Sequence, residues 1–417
     1  MLIITKRRVP ESVMLVVMLV VTLVVALGMA QRVRCQAVEI DANVPHGKLK
    51  VTVDEPTVMA PSPGNTHGIL AVSRTGVVAA FYESDESGES SYVYRTSSDA
   101  GATWGEQLPI PATVSGGAMY GALREGGVVK MTGQAVPPEK REPGKLGPQR
   151  ILFSDDFLHY EADPAEVDLS TFPSNPSRNT PKASFYPVFD KGKLLELPNG
   201  DLLATMYGVL EGDAQYRTMI VISKDKGLHW RYVTTVAYDA EDPHPDFPGD
   251  WDGYCEPSLA QLADDRLLCI MRTEGATPPY KPMYTSWSSD MGLTWTDPIP
   301  TEPHLQNAWP TLAVLDSDTP DSDTPDNNTP DNNTPDNGVV ACIYGRPGVH
   351  VVFSTDGGRH WTDRATLTSH TTTWGKPGTN ISCYADLIQV GPNRLLAITA
   401  VGPGGTQVFP IAVQRVE

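Results

Sequence analysis

The stretch SSDAGATW at 97–104 returns as SKDKGLHW at 223–230, SSDMGLTW at 288–295 and STDGGRHW at 354–361, with a degenerate copy, SDDFLHY, at 154–160. The copies begin at 97, 154, 223, 288 and 354, at steps of 57 to 69 residues. Recurrence at such a period signals an array of one supersecondary unit. The octad reads as a tight turn between strands. Its aspartate accepts backbone N–H groups, its glycine takes a positive φ, its serine closes a local bond and its tryptophan caps the next strand. These residues shape a turn and are expected to do no chemistry.

Working outward, each octad follows a second recurring pattern of apolar strand, turn and apolar strand. It occurs as ILAVSRTGVVAAFY from Ile69, YGALREGGVVKM from Tyr120 and LLELPNGDLLATMYG from Leu194. EPSLAQLADDRLLCIMR from Glu256, a pair opened by WPTLAV at Trp309, and YADLIQVGPNRLLAI from Tyr384 complete the set. Short strands at even spacing, without helical periodicity, predict an all-β, six-bladed β-propeller. The last hairpin has no octad after it, so a strand near Val51–Met59 is expected to close the ring. The propeller is placed at 45–417, with no second domain.

Composition agrees. The 417 residues include 36 glycines and 37 prolines, too many for long helices, and the 40% hydrophobic content allows a sizeable core. With 32 basic against 50 acidic residues the net charge is −18, which argues against a nucleic-acid binder or a polybasic membrane-surface protein. The segment 316–337, DSDTPDSDTPDNNTPDNNTPDN, carries seven aspartates and no basic residue. Its composition cannot enter a core, so it reads as a low-complexity loop insertion in the fifth hairpin.

Residues 1–34 read as addressing. Lys6, Arg7 and Arg8 precede an apolar run over 13–30 that ends among small residues, the pattern of a secretory signal. The run is also long enough for an uncleaved N-terminal membrane anchor. Export follows from either reading: a secreted or periplasmic location if the segment is cleaved, a membrane-anchored one through 13–30 if it is not. Beyond Cys35, only Cys255, Cys269, Cys342 and Cys383 remain, too few for a disulfide scaffold. No CxxC or HExxH spacing occurs, so neither a structural nor a catalytic zinc site is expected.

In a propeller, the residue opening each innermost strand and the residue ending the next strand face the central channel. Glu256 and Tyr384 each stand eleven residues before a leucine pair, Leu267-Leu268 and Leu395-Leu396. They therefore hold equivalent channel positions in different blades. A carboxylate beside a tyrosine can take the phenol proton and make it a nucleophile, the known exception to two-carboxylate glycosidases; a capped strand start and a packed tyrosine is the plain alternative. Arg272 and Arg346 end outgoing strands, suited to bidentate capture of a carboxylate or to rim ion pairs. Asp85 lies in the acidic loop ESDESGESS and is a candidate general acid or a solvated charge.

The octads resemble the Asp box of the sialidase and BNR-repeat superfamily, and the likeness spans roughly 45–417. The resemblance implies an exo-acting glycosidase that uses no cofactor. By its motifs Tyr384 would be the nucleophile, Glu256 its partner and Asp85 the acid/base, with Arg272 and Arg346 holding an acidic sugar. The family's first-blade arginine is missing: NTHGIL stands there, with Thr66 and His67 in its place. His67 is thus the candidate for a changed substrate contact. A glycan-binding propeller with a degenerate site is the alternative reading.

Overall fold

The computed structural model describes residues 46–61, 68–84, 91–110, 118–133, 146–177, 187–189, 193–240, 253–273, 282–303, 305, 309–315, 338–345, 348–369, 384–400 and 404–416. The strands form antiparallel meanders that follow one another in sequence order. The first runs Ile69–Val72, Val78–Ser84, Ser91–Ser97, Leu108–Pro109, and the fourth Cys255–Gln261, Leu267–Arg272, Tyr284–Ser288, Ile299–Pro300. The fifth runs Thr311–Leu315, Val339–Gly345, Val349–Ser354, Thr362–Thr368. The second and third are fused into one nine-stranded sheet by a short parallel pairing of Glu166–Asp168 with His229–Arg231.

In the last meander, Ala385–Gly391 pairs with Arg394–Thr399, and that strand with Thr406–Arg415. Its outermost position is filled from the other end of the chain: Leu49–Val53 and Thr57–Ala60 both pair with Thr406–Arg415. The ring therefore closes between its two ends.

The core is divided among the sheet-to-sheet interfaces. Leu70, Val78 and Tyr82 of the first meander meet Ile388, Leu396 and Ile398 of the last. Ala341, Val351 and Phe353 of the fifth meet Leu387, Ala397 and Phe409 on the other side of that last sheet. The remaining neighbours share equivalent clusters, so apolar packing runs around the whole ring. Each sheet is covered on both faces, and its middle strands accordingly read as continuous apolar runs such as LLATMYG at Leu202–Gly208.

All five octad copies form the expected turn between the third and fourth strands of their meanders. In the first, Gly101 N–H donates to Ser97 Oγ at 2.9 Å, Thr103 N–H to Asp99 Oδ1 at 2.8 Å, and Thr103 Oγ1 to Asp99 Oδ2 at 2.6 Å. The set recurs around Asp225, Asp290 and Asp356, and in reduced form around Asp156. These bonds stabilise the charged carboxylates. Asp99 is held down to about 2, by the Thr103 hydroxyl foremost. The residue before the glycine also adopts a positive φ, at Ala100, Lys226, Met291 and Gly357. The turn packs as well: a Cβ on Gly358 would lie 2.6 Å from Leu268 Cδ2 of the preceding meander, and Trp287 Nε1 donates to Gly357 O at 2.7 Å. Each octad is thus also a contact between neighbouring sheets.

Candidate active site

Glu256 and Arg272 come together at the opening of the fourth meander. Cys255 pairs with Arg272 and Ser258 with Ile270, so Glu256 and Pro257 oppose Met271 alone, a bulge. A bulge bends its strand and re-aims the side chain it carries. Arg272 Nη1 donates to Glu256 Oε1 at 2.6 Å, and each side chain is only 10% exposed. The other carboxylate oxygen, Oε2, accepts the backbone N–H of Trp309 at 3.1 Å. Burial opposes the charge on Arg272, but the Glu256 carboxylate beside it holds the guanidinium protonated, above its ordinary range. Desolvating the two charges is offset only by such closely made bonds.

Tyr384 opens the sixth meander half-buried, its ring edge-on to the Trp309 ring, with centroids 4.3 Å apart and planes at 83°. It lies near enough to Arg272 to act on that charge. Glu256, Trp309 and Tyr384 therefore open three successive meanders around one side of the channel. Glu256 and Trp309 both have φ of +45°, and both precede a proline, which favours extended backbone. Holding a non-glycine residue there costs about 1–3 kcal/mol, the kind of strain found at functional sites.

Two residues beyond Tyr384 on the same strand, Asp386 is 2% exposed. Its Oδ2 accepts Leu70 N–H from the first meander at 2.8 Å, and its Oδ1 accepts from Lys193 Nζ at 3.0 Å. Lys193 belongs to the third meander, so this ion pair spans the ring. Beyond it, at the hairpin-turn end, lies a cavity of about 810 Å³ whose lining includes Lys193, Arg74, Arg124, Glu196, Gln261 and Gln389. Asp386 stands on its strand between Tyr384 and the cavity-lining stretch from Leu387 to Pro392. The ion pair thus forms a floor beneath the strand openings.

The structure brings together three of the residues singled out in the sequence, Glu256, Arg272 and Tyr384. Asp85, Arg346 and His67 lie outside the described residues, as do the apolar run at 13–30 and the insertion at 316–337. Arg74 is exposed in its hairpin turn. Cys269 and Cys342 are buried free thiols, and Cys255 is buried at the start of its strand. Among the described residues, no three His, Cys, Asp or Glu side chains stand close enough to share a metal ion.

Trp309 and the Lys193–Asp386 pair were missed by sequence reasoning. A signal existed for the first: Trp309-Pro-Thr-Leu-Ala repeats the pattern Glu256-Pro-Ser-Leu-Ala, although the insertion hides its spacing to the next strand. No local pattern marks the second.

Chemically, the arrangement is a phenol near a guanidinium, with a carboxylate whose two oxygens are each anchored by one hydrogen bond. Further lone pairs on those oxygens can still accept a proton.

Residues 168–392 match the family model of the BNR repeat-like domain. No curated protein matches the chain. Among solved structures, a protein of unknown function from Dyadobacter fermentans aligns with a TM-score of 0.58 at 17% identity, covering 87% of this chain and 99% of that one. The alpha-L-arabinanase of Penicillium chrysogenum, solved with arabinobiose, aligns at 0.55 and 14% identity, covering 86% and 98%. A Hadza microbial sialidase aligns at 0.54 and 14% identity, covering 83% of this chain and 65% of that longer one. Likeness at these identities is a likeness of fold.

Proposed function

Because the chain belongs to the BNR repeat-like family of the sialidase superfamily, we propose that it is an exported, retaining, exo-acting glycoside hydrolase for a terminal acidic sugar. The observation that carries the reading is the buried Glu256–Arg272 pair at a strained strand opening, with Tyr384 packed on Trp309, whose N–H bonds the same Glu256. The arabinanase likeness shows that the fold also serves a neutral sugar, so the acidic preference rests on arginine and not on architecture.

In this reading Tyr384 Oη attacks the anomeric carbon while its proton passes to Glu256. The bond to the leaving oxygen breaks as Asp85 protonates that oxygen. Water then attacks the same carbon, giving its proton to Asp85, and Tyr384 departs as the phenol by recovering the proton from Glu256. Arg272 and Arg346 hold the sugar's acid group, with His67 at the position where the family carries a third arginine.

The test is turnover of aryl glycosides of sialic acid, uronic acids and arabinose by the purified protein. Release of the aryl group from an acidic sugar, lost in Tyr384→Phe, is the expected result. Absence of turnover on every acidic glycoside would overturn the hydrolase, and binding of the same sugars without turnover would leave a glycan-binding propeller.

A further inference from the structure

We propose that Trp309 is a positioning residue that sets Tyr384 and Glu256 relative to one another, an inference resting on the hydrolase reading above. Trp309 belongs to the fifth meander, yet it touches both partners from the meanders on either side. Its backbone N–H bonds Glu256 Oε2 of the fourth, and its indole stands edge-on to the Tyr384 ring of the sixth. Innermost strands of neighbouring meanders share no continuous ladder here, so their relative placement falls to side chains and isolated bonds.

The backbone and the ring do separate work. At φ +45° the Trp309 N–H points to the carboxylate, and glycine would adopt that conformation more readily. What the indole adds is a wall for the phenol. Edge-to-face aromatic contact restricts the orientation of both rings. Attack by Tyr384 Oη needs the anomeric carbon at about 3–3.5 Å and in line, and a displacement of about 1 Å can cost on the order of a hundredfold in rate.

Trp309→Gly separates the two roles, because it keeps the N–H and relieves the positive φ while removing the wall. We expect kcat to fall about 10- to 100-fold with KM within about threefold, since a loosened nucleophile affects the transition state and not substrate capture. Trp309→Phe restores an aromatic partner and should recover kcat to within about fivefold of the unaltered protein. A merely structural role would instead lower the melting temperature and leave kcat of the folded fraction intact. Should Trp309→Gly fail to fold, Trp309→Leu replaces it, filling volume without an aromatic face, with the same expected loss.

Unchanged kcat in the folded Gly or Leu variant, with Tyr384→Phe inactive, overturns the role of Trp309 and leaves the hydrolase standing. Normal turnover by Tyr384→Phe overturns the tyrosine mechanism itself, and the positioning role with it.

Discussion

Replacing Arg272 by methionine should be among the most damaging single changes to stability in the ring. The substitution leaves the Glu256 carboxylate almost fully buried, with the bond from Trp309 N–H still in place. Removing one member of a buried ion pair costs about 3–5 kcal/mol, because the other charge stays desolvated. Unfolding entropy of about 2.1 cal/mol/K per residue, over about 370 residues, gives roughly 0.8 kcal/mol/K, so the melting temperature should fall by about 4–6 °C. The assay is a double-mutant cycle with Arg272→Met, Glu256→Gln and the pair together, read by calorimetry and urea unfolding. With both charges gone, the double variant should lose less than the sum of the singles, by at least about 1.5 kcal/mol. A loss below about 1 kcal/mol in Arg272→Met, or strict additivity, would refute the claim that the two charges sustain one another.

Other expectations follow from the turns and the insertion. Gly358→Ala should cost about 2–3 kcal/mol, because its Cβ would enter the space of Leu268 at a φ of +86°; an unchanged urea midpoint would show that Leu268 yields freely. The octad aspartates should make the fold acid-labile. Asp99 and Asp156 are depressed to about 2, and Asp225, Asp290 and Asp356 are also lowered. A lowered folded value stabilises above the ordinary carboxylate range, near 3.9, and that contribution fades as pH falls toward 2. The aspartates' contribution to the melting temperature should therefore be complete above about pH 5 and be lost between about 4 and 2, and a flat profile there would contradict the turn bonds. Excising 318–336 preserves the pairing of Leu315 with Val339 and should move the melting temperature by less than about 2 °C, because closure entropy varies slowly with loop length; a larger loss would mean that the insertion packs.

The propeller was legible because its information is local and repeated. Each octad contains its own donors and acceptors within a few residues, and each apolar hairpin announces a sheet buried on both faces. Even the closing strand near Val51 could be expected, from the absence of an octad after the last hairpin. Contacts with no local pattern were not legible. The parallel join of Glu166–Asp168 to His229–Arg231 is made by outer strands of different meanders, and nothing in either strand's alternation encodes it. Lys193 and Asp386 are 193 residues apart. Glu256 and Arg272 were each legible as the two ends of one hairpin, though read for a tyrosine and a substrate and not for each other. The hold of Trp309 on Glu256 depends on backbone strain that residue types do not display.

The pairing of Leu49–Val53 with Thr406–Arg415 also sets a timetable. The strand made early must wait for one made long after it, so the four interfaces among the first five meanders can assemble before the two that need the last meander. Until Leu49–Val53 docks, Thr406–Arg415 presents an edge of unpaired N–H and C=O groups, a template for any matching strand. The matching strand nearest in chemistry belongs to another copy of the same chain. At high concentration during refolding, the latch that completes one ring becomes the route by which two molecules exchange strands, and dilution should favour the closed monomer.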